Sequence, residues 1–187
     1  MKVLVLDNYD SFTYNLVHIL RELGVEPMVY RNDEIALEAV GQFDKILLSP
    51  GPGLPAEAGI MPALLKTYSS EKSILGVCLG HQAIGECFGS SLYNLPTVFH
   101  GIATDIDVLE RDHLYKNLPD KFRVCRYHSW VVAEENLPAA LLVTARDAAG
   151  NIMSIRHKTF DVQGVQYHPE SIMTEHGKSL IKNWIDQ

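Results

Sequence analysis

The chain is poor in cysteine, with three in 187 residues, and the count is odd. Cys78, Cys87 and Cys125 contain no C-x-x-C pair, which argues against a disulfide framework and a four-cysteine zinc site. Each thiol is then either a small buried apolar group or a nucleophile, and local context must decide. Basic charge is also scarce: 16 Lys and Arg against 23 Asp and Glu give a net charge of −7. No basic stripe for nucleic acid is expected from that balance. Long apolar runs are missing as well. Val3 to Leu6 follows Met1-Lys2 and is closed by Asp7, too short for a signal-peptide core or a membrane span. These features predict a cytoplasmic protein without nucleic-acid or membrane partners. Repeats, linkers and low-complexity segments are absent. An apolar fraction of 47% and a charged fraction of 21% predict one globular domain over residues 1–187.

The first half alternates short β-rich runs with helical patterns. Val3–Leu6 reads as a buried strand. Asp10 or Ser11 is a candidate N-cap for a helix carrying Phe12, Leu16, Ile19, Leu20 and Leu23 and stopped by Gly24. Strands are expected over Val25–Arg31, Lys45–Leu48 and Ile74–Val77. Helices are expected over Asp33–Val40, Met61–Tyr68 and His81–Phe88. Ser49 to Pro55 is a loop, because its prolines and glycines exclude helix and ladder. Beyond residue 90 the pattern turns to strands: Val98–His100, Asp105–Leu109, Phe122–Tyr127 and a hairpin of Leu141–Arg146 with Ile152–His157 around Asp147–Asn151. Phe160–Tyr167 is a last strand, before an amphipathic helix with Leu180, Ile181 and Trp184 on one face. The fold class predicted is α/β: a mostly parallel central sheet with helices on both faces, flavodoxin-like, with antiparallel strands added in the second half.

Gly76-Val77-Cys78-Leu79-Gly80 lies between a buried strand and a helix. This is the small-x-nucleophile-x-small pattern of a nucleophile elbow, where a Cβ at either glycine position would clash across the turn. There the thiol projects above the sheet edge at a helix N-terminus, whose dipole favours the thiolate. Placement matters, because a free thiol of pKa about 8.5 is only a few per cent ionised at neutral pH. Cys87 and Cys125 lack such a setting and read as structural.

An elbow thiol needs a base. Among eight histidines, His168 has the best setting, ending the strand Val165-Gln166-Tyr167 and followed by Pro169 and Glu170. Two residues apart in extended chain, His168 and Glu170 point the same way, so the carboxylate reaches the far ring nitrogen. His18, His113, His157 and His176 read as surface residues; His100 and His128 are ambiguous. A zinc site at His168-x-Glu170 is disfavoured without P-C-x-x-C, so no metal and no cofactor are expected. The amide of Leu79 is a natural oxyanion donor, and the Pro50-Gly51-Pro52-Gly53 loop is a source of a second. Losing one such donor costs about 3 kcal/mol of barrier. The residues alone reach acyl transfer through a thioester and no further.

Ser49-Pro50-Gly51-Pro52-Gly53, Gly76-Val77-Cys78-Leu79-Gly80-His81-Gln82, Tyr127-His128-Ser129 and Gln166-Tyr167-His168-Pro169-Glu170-Ser171 together resemble the triad-type (class I) glutamine amidotransferases along the whole chain. The opening Leu6-Asp7-Asn8-Tyr9-Asp10-Ser11-Phe12-Thr13-Tyr14-Asn15 is similar to the small subunits of anthranilate synthase and aminodeoxychorismate synthase. The resemblance implies a Cys78, His168, Glu170 triad and an oxyanion hole at Gly51 and Leu79. It implies glutamine contacts from Gly51, Pro52, Gly53 and Gln82 and from the backbone at Ser129 and Trp130. It further implies L-glutamine as substrate and, as partner, the large subunit of a chorismate-using synthase. Position 130 is usually leucine in that family, and His100-Gly101-Ile102 stands where it has His-Gly-Lys. Two other readings stay open: a cysteine peptidase or amidase of other specificity, and a catalytically silent binding subunit on the same scaffold.

Overall fold

The computed structural model describes residues 1–187. One nine-stranded sheet runs in the order β2-β1-β3-β4-β9-β8-β7-β5-β6. Its strands are β1 (Val3–Asp7), β2 (Met28–Arg31), β3 (Lys45–Leu48), β4 (Ser73–Val77), β5 (Leu92–Val108), β6 (Lys121–Val132), β7 (Leu141–Asp147), β8 (Ile152–His157) and β9 (Val162–Val165). The helices are α1 (Thr13–Glu22), α2 (Met61–Tyr68), α3 (Leu79–Cys87) and α4 (Gly177–Asp186).

The first five strands in sheet order pair in parallel, in the flavodoxin arrangement. Every remaining pairing is antiparallel. The sheet is therefore mixed, and the expectation of a mostly parallel one is corrected. The cause is connectivity: a parallel pair needs a long crossover, whereas β5 to β9 follow one another without intervening α-helices. Strand β9 is the seam, parallel to β4 and antiparallel to β8.

Helices do cover both faces. Val3, Val5, Leu47, Leu75 and Val77 turn one way and pack with Leu16, Val17 and Leu20 of α1 and Leu180, Ile181 and Trp184 of α4. Leu4, Leu6, Ile46, Leu48 and Ile74 turn the other way, onto Met61, Leu64 and Leu65 of α2 and Ala83 and Ile84 of α3. A 10-residue helix such as α4 is marginal alone. It is held by burying Leu180, Ile181 and Trp184, each contributing about 2 kcal/mol. Buried Lys45 adds a tie, donating to the carbonyl of Trp184 at 2.9 Å. No helix is long and apolar enough to cross a membrane.

Lys45–Leu48 and Met61–Tyr68 form as predicted. Elsewhere the bounds shift. Helix α1 begins at Thr13, with Phe12 at the capping position and no side-chain cap on the helix; Asp10 instead accepts the Phe12 amide at 2.8 Å. Phe12 is left 37% exposed rather than in the core. Strand β2 starts only at Met28, after Pro27, and a 3-10 helix at Leu37–Gln42 replaces the helix expected over 33–40. The two short strands expected at 98–109 are parts of β5, whose ladder to β6 is broken by bulges. Strand β9 ends at Val165, so residues 166–170 are not extended strand. His157 is buried, not on the surface: it stacks on Phe160 with centroids 4.3 Å apart, and its Nδ1 accepts the Phe160 amide.

Candidate active site

Strand β4 delivers Cys78 to the C-terminal edge of the sheet, and α3 begins at the next residue. Cys78 adopts φ 51° and ψ −99°, a conformation L-residues avoid, at the N-cap of α3. Its amide donates to Val165 on β9 (2.8 Å), and its carbonyl accepts from Gln82 (3.0 Å). The amides of Leu79, Gly80 and His81 therefore have no acceptor within the helix.

The flanking glycines are required by contact. A Cβ on Gly76 would lie 2.4 Å from the carbonyl carbon of Gly80, across the elbow. A Cβ on Gly80 would meet Leu48 of β3 at 2.7 Å, so that clash is with the neighbouring strand and not across the turn as expected. Gly51 is equally confined, its missing Cβ 2.5 Å from the Asn8 carbonyl and 2.9 Å from the Leu79 side chain. Asn8 pins this loop: its amide donates to Ser49 Oγ and its Nδ2 to the Ser49 carbonyl, both at 2.8 Å.

A cavity of about 400 Å³ opens over the sulfur, lined by Gly51, Gly53, Leu54, Cys78, Gln82, Tyr127, His128, Ser129 and Trp130. Most residues expected to hold a substrate thus share one cavity with the thiol. Pro52 is not in its walls; Leu54 is. Cys78 is only 5% exposed, at the floor.

His168 and Glu170 border a second cavity of about 300 Å³, with Tyr127 common to both. Nδ1 of His168 lies 2.6 Å from Oε1 of Glu170. The pair is made by a turn, in which the Ser171 amide donates to the His168 carbonyl, and not by the pleat of a strand. Main-chain bonds seat His168: its amide donates to the Cys125 carbonyl (3.0 Å), and Thr174 Oγ1 donates to its carbonyl (2.6 Å).

Burial alone would push the His168 imidazole down; the Cys78 sulfur as thiolate and then the Glu170 carboxylate overcome that and hold it well above the usual value. Nε2 makes no hydrogen bond. A carboxylate only accepts, so the Nδ1 proton belongs to the Glu170 contact, and Nε2 is the ring nitrogen left unengaged.

The other thiols are structural in setting. Cys125 is fully buried in β6, and burial raises the half-buried Cys87. The sequence reading missed Tyr127, whose carbonyl lies 3.8 Å from the sulfur, and Gln166, whose Nε2 lies 3.6 Å from it. Gln166 has no exposure, and its place beside the sulfur depends on a contact between distant segments that no local pattern marks.

Residues 4–187 match the sequence model of the family described as "Glutamine amidotransferase class-I". The chain is 47% identical over 191 residues to anthranilate synthase component 2 of Thermus thermophilus, covering 100% of this chain and 92% of that protein. It is 43% identical over 186 residues to aminodeoxychorismate/anthranilate synthase component 2 of Bacillus subtilis, covering 98% and 95%. Aminodeoxychorismate synthase component 2 of Klebsiella aerogenes is 43% identical over 187 residues, covering 99% and 100%. Among solved structures, a Thermoplasma acidophilum protein described as a GMP synthase subunit superposes with a TM-score of 0.90 at 28% identity, covering 100% and 92%. By fold, elbow and relatedness along its length, the chain belongs to the class-I glutamine amidotransferases.

Proposed function

We propose that residues 1–187 are the amidotransferase domain of a chorismate-using synthase, hydrolysing L-glutamine and passing the ammonia to a synthase large subunit that forms anthranilate or 4-amino-4-deoxychorismate. The observation that carries the catalytic reading is the strained Cys78 at the elbow, in a cavity that shares Tyr127 with the one bordered by a buried His168 tied to Glu170 at 2.6 Å. The names of the relatives, component 2 of anthranilate and of aminodeoxychorismate synthase, support the partner and the product class.

In this reading Sγ of Cys78 attacks the side-chain amide carbon of glutamine, and His168 holds the thiol proton. The amides of Leu79 and Gly51 take up the oxyanion charge at the moment it develops. Collapse expels ammonia, which takes its proton from the imidazolium, and leaves a glutamyl thioester on Cys78. Water, deprotonated by His168, then releases glutamate and regenerates the thiol. Gln82, Gly53 and the backbone at Ser129 and Trp130 hold the amino-acid end, with Trp130 forming part of the cavity wall.

The test is a comparison of nitrogen sources. In the assembled synthase, Cys78→Ala abolishes product formation from glutamine and spares formation from added ammonium salt. Equal loss with both sources overturns the reading. A glutamine-analogue electrophile labels Cys78 and spares Cys87 and Cys125, so labelling elsewhere reassigns the nucleophile.

A further inference from the structure

A continuous run of hydrogen bonds begins at a buried ion pair and ends on the sulfur of Cys78. Arg126 and Asp147, with side chains 1% and 5% exposed, are joined at 2.7 Å. Nε of Arg126 donates to Nε2 of His128 at 3.0 Å. A guanidinium has donors only, so Nε2 must accept, and the proton of the neutral ring sits on Nδ1. Burial, followed by the Arg126 charge, holds this imidazole down to about 3, so the ring is neutral at ordinary pH.

From there each link has one direction. Nδ1–H of His128 donates to the Trp130 carbonyl at 3.0 Å. The same carbonyl accepts from Nε2 of Gln82, also at 3.0 Å. That amide's other N–H goes to Oε1 of Gln166 at 3.2 Å. With its oxygen engaged there, Gln166 turns Nε2 to the sulfur at 3.6 Å. The other hydrogen-bonding group on the sulfur is the Tyr127 carbonyl at 3.8 Å.

We propose that Gln166 is a further catalytic residue: its amide N–H bonds to the Cys78 sulfur and shares the thiolate charge, and the Arg126–His128–Trp130–Gln82 chain keeps that amide from flipping. The inference rests on Cys78 being the nucleophile. The Tyr127 carbonyl can only accept, so it favours the protonated thiol. Gln166 donates, so it favours the anion that attacks and, later, the anion that leaves the thioester. A flipped amide would present oxygen to sulfur and oppose both steps.

The test uses the purified chain, without a partner. The rate of Cys78 alkylation by iodoacetamide is measured against pH by mass spectrometry in the wild type and in Gln166→Met. Loss of a donor to a charged sulfur moves the profile to higher pH and slows alkylation at pH 7 by about tenfold or more. Buried Cys125 stays unlabelled while the core is intact, so the same spectra report folding; Gln166→Leu takes the place of a Met variant that fails this control. An unshifted profile in a folded variant removes the role of Gln166 and leaves Cys78 as nucleophile. Glutamine hydrolysis surviving in Cys78→Ala overturns the nucleophile itself, a separate result.

Discussion

Nδ1 of His168 is fixed 2.6 Å from Oε1 of Glu170, while Nε2 on the opposite side of the ring makes no hydrogen bond. The ring is thus anchored at one nitrogen and left unengaged at the other. Sulfur and carboxylate both favour the protonated ring, against the burial that disfavours it.

Glu170→Gln removes the charge and leaves burial and the thiolate to compete. The His168 pKa falls, which imidazole NMR resonances report as titration at lower pH than in the wild type. Glutamine hydrolysis falls by two to four orders of magnitude, by analogy of role with roughly 10⁴-fold for loss of charge on the acid of a serine triad. Activity within tenfold of wild type would make the carboxylate a spectator.

Two neutral buried histidines make the fold acid-sensitive. Burial lowers His81 to about 4, and both of its ring nitrogens lack side-chain partners. Its unfolded value is near 6.5, so between pH 6.5 and 4 the unfolded chain binds the extra proton. Stability is therefore full above pH 6.5 and is lost as pH falls toward 4, by on the order of 3 kcal/mol. His128, lowered to about 3 by burial and Arg126, acts in the same direction. Urea denaturation across this range checks the slope, and His81→Leu flattens it. An identical slope in that variant refutes the assignment.

Glycine substitutions separate overlap from backbone strain. Gly24 has φ +80° with nothing within 4 Å of an added Cβ. Gly24→Ala pays only for its left-handed backbone, about 1 kcal/mol. Gly76→Ala drives a Cβ to 2.4 Å from the backbone of Gly80. It costs well over 3 kcal/mol or prevents folding. Thermal midpoints rank the two, and a reversed order contradicts the elbow geometry.

How much of this was legible in the sequence depended on range. Lys45–Leu48 and Met61–Tyr68 carry their own apolar pattern and turn residues, and both form at the predicted bounds. Cys78 stood out because its glycines are adjacent in the chain. His168 and Glu170 could be paired from residue type, yet the pairing was assigned to a strand when a turn makes it, since nothing local marks Val165 as the last paired residue. Strand β5 was hidden because most of its residues are exposed and its ladder to β6 carries bulges. Tyr127 and Gln166 escaped for a different reason: each acquires meaning only where β6 and the segment after β9 close over the elbow.

The ladder between β4 and β9 has a wider consequence. Val77 is in register with Val165, and the Cys78 amide closes onto the Val165 carbonyl. Cys78 and His168 are therefore brought together by two adjacent main chains, and β6 adds the Cys125 carbonyl that accepts the His168 amide at 3.0 Å. A change in the inserted hairpins that shifts Cys125 therefore carries the imidazole with it while leaving both side chains intact.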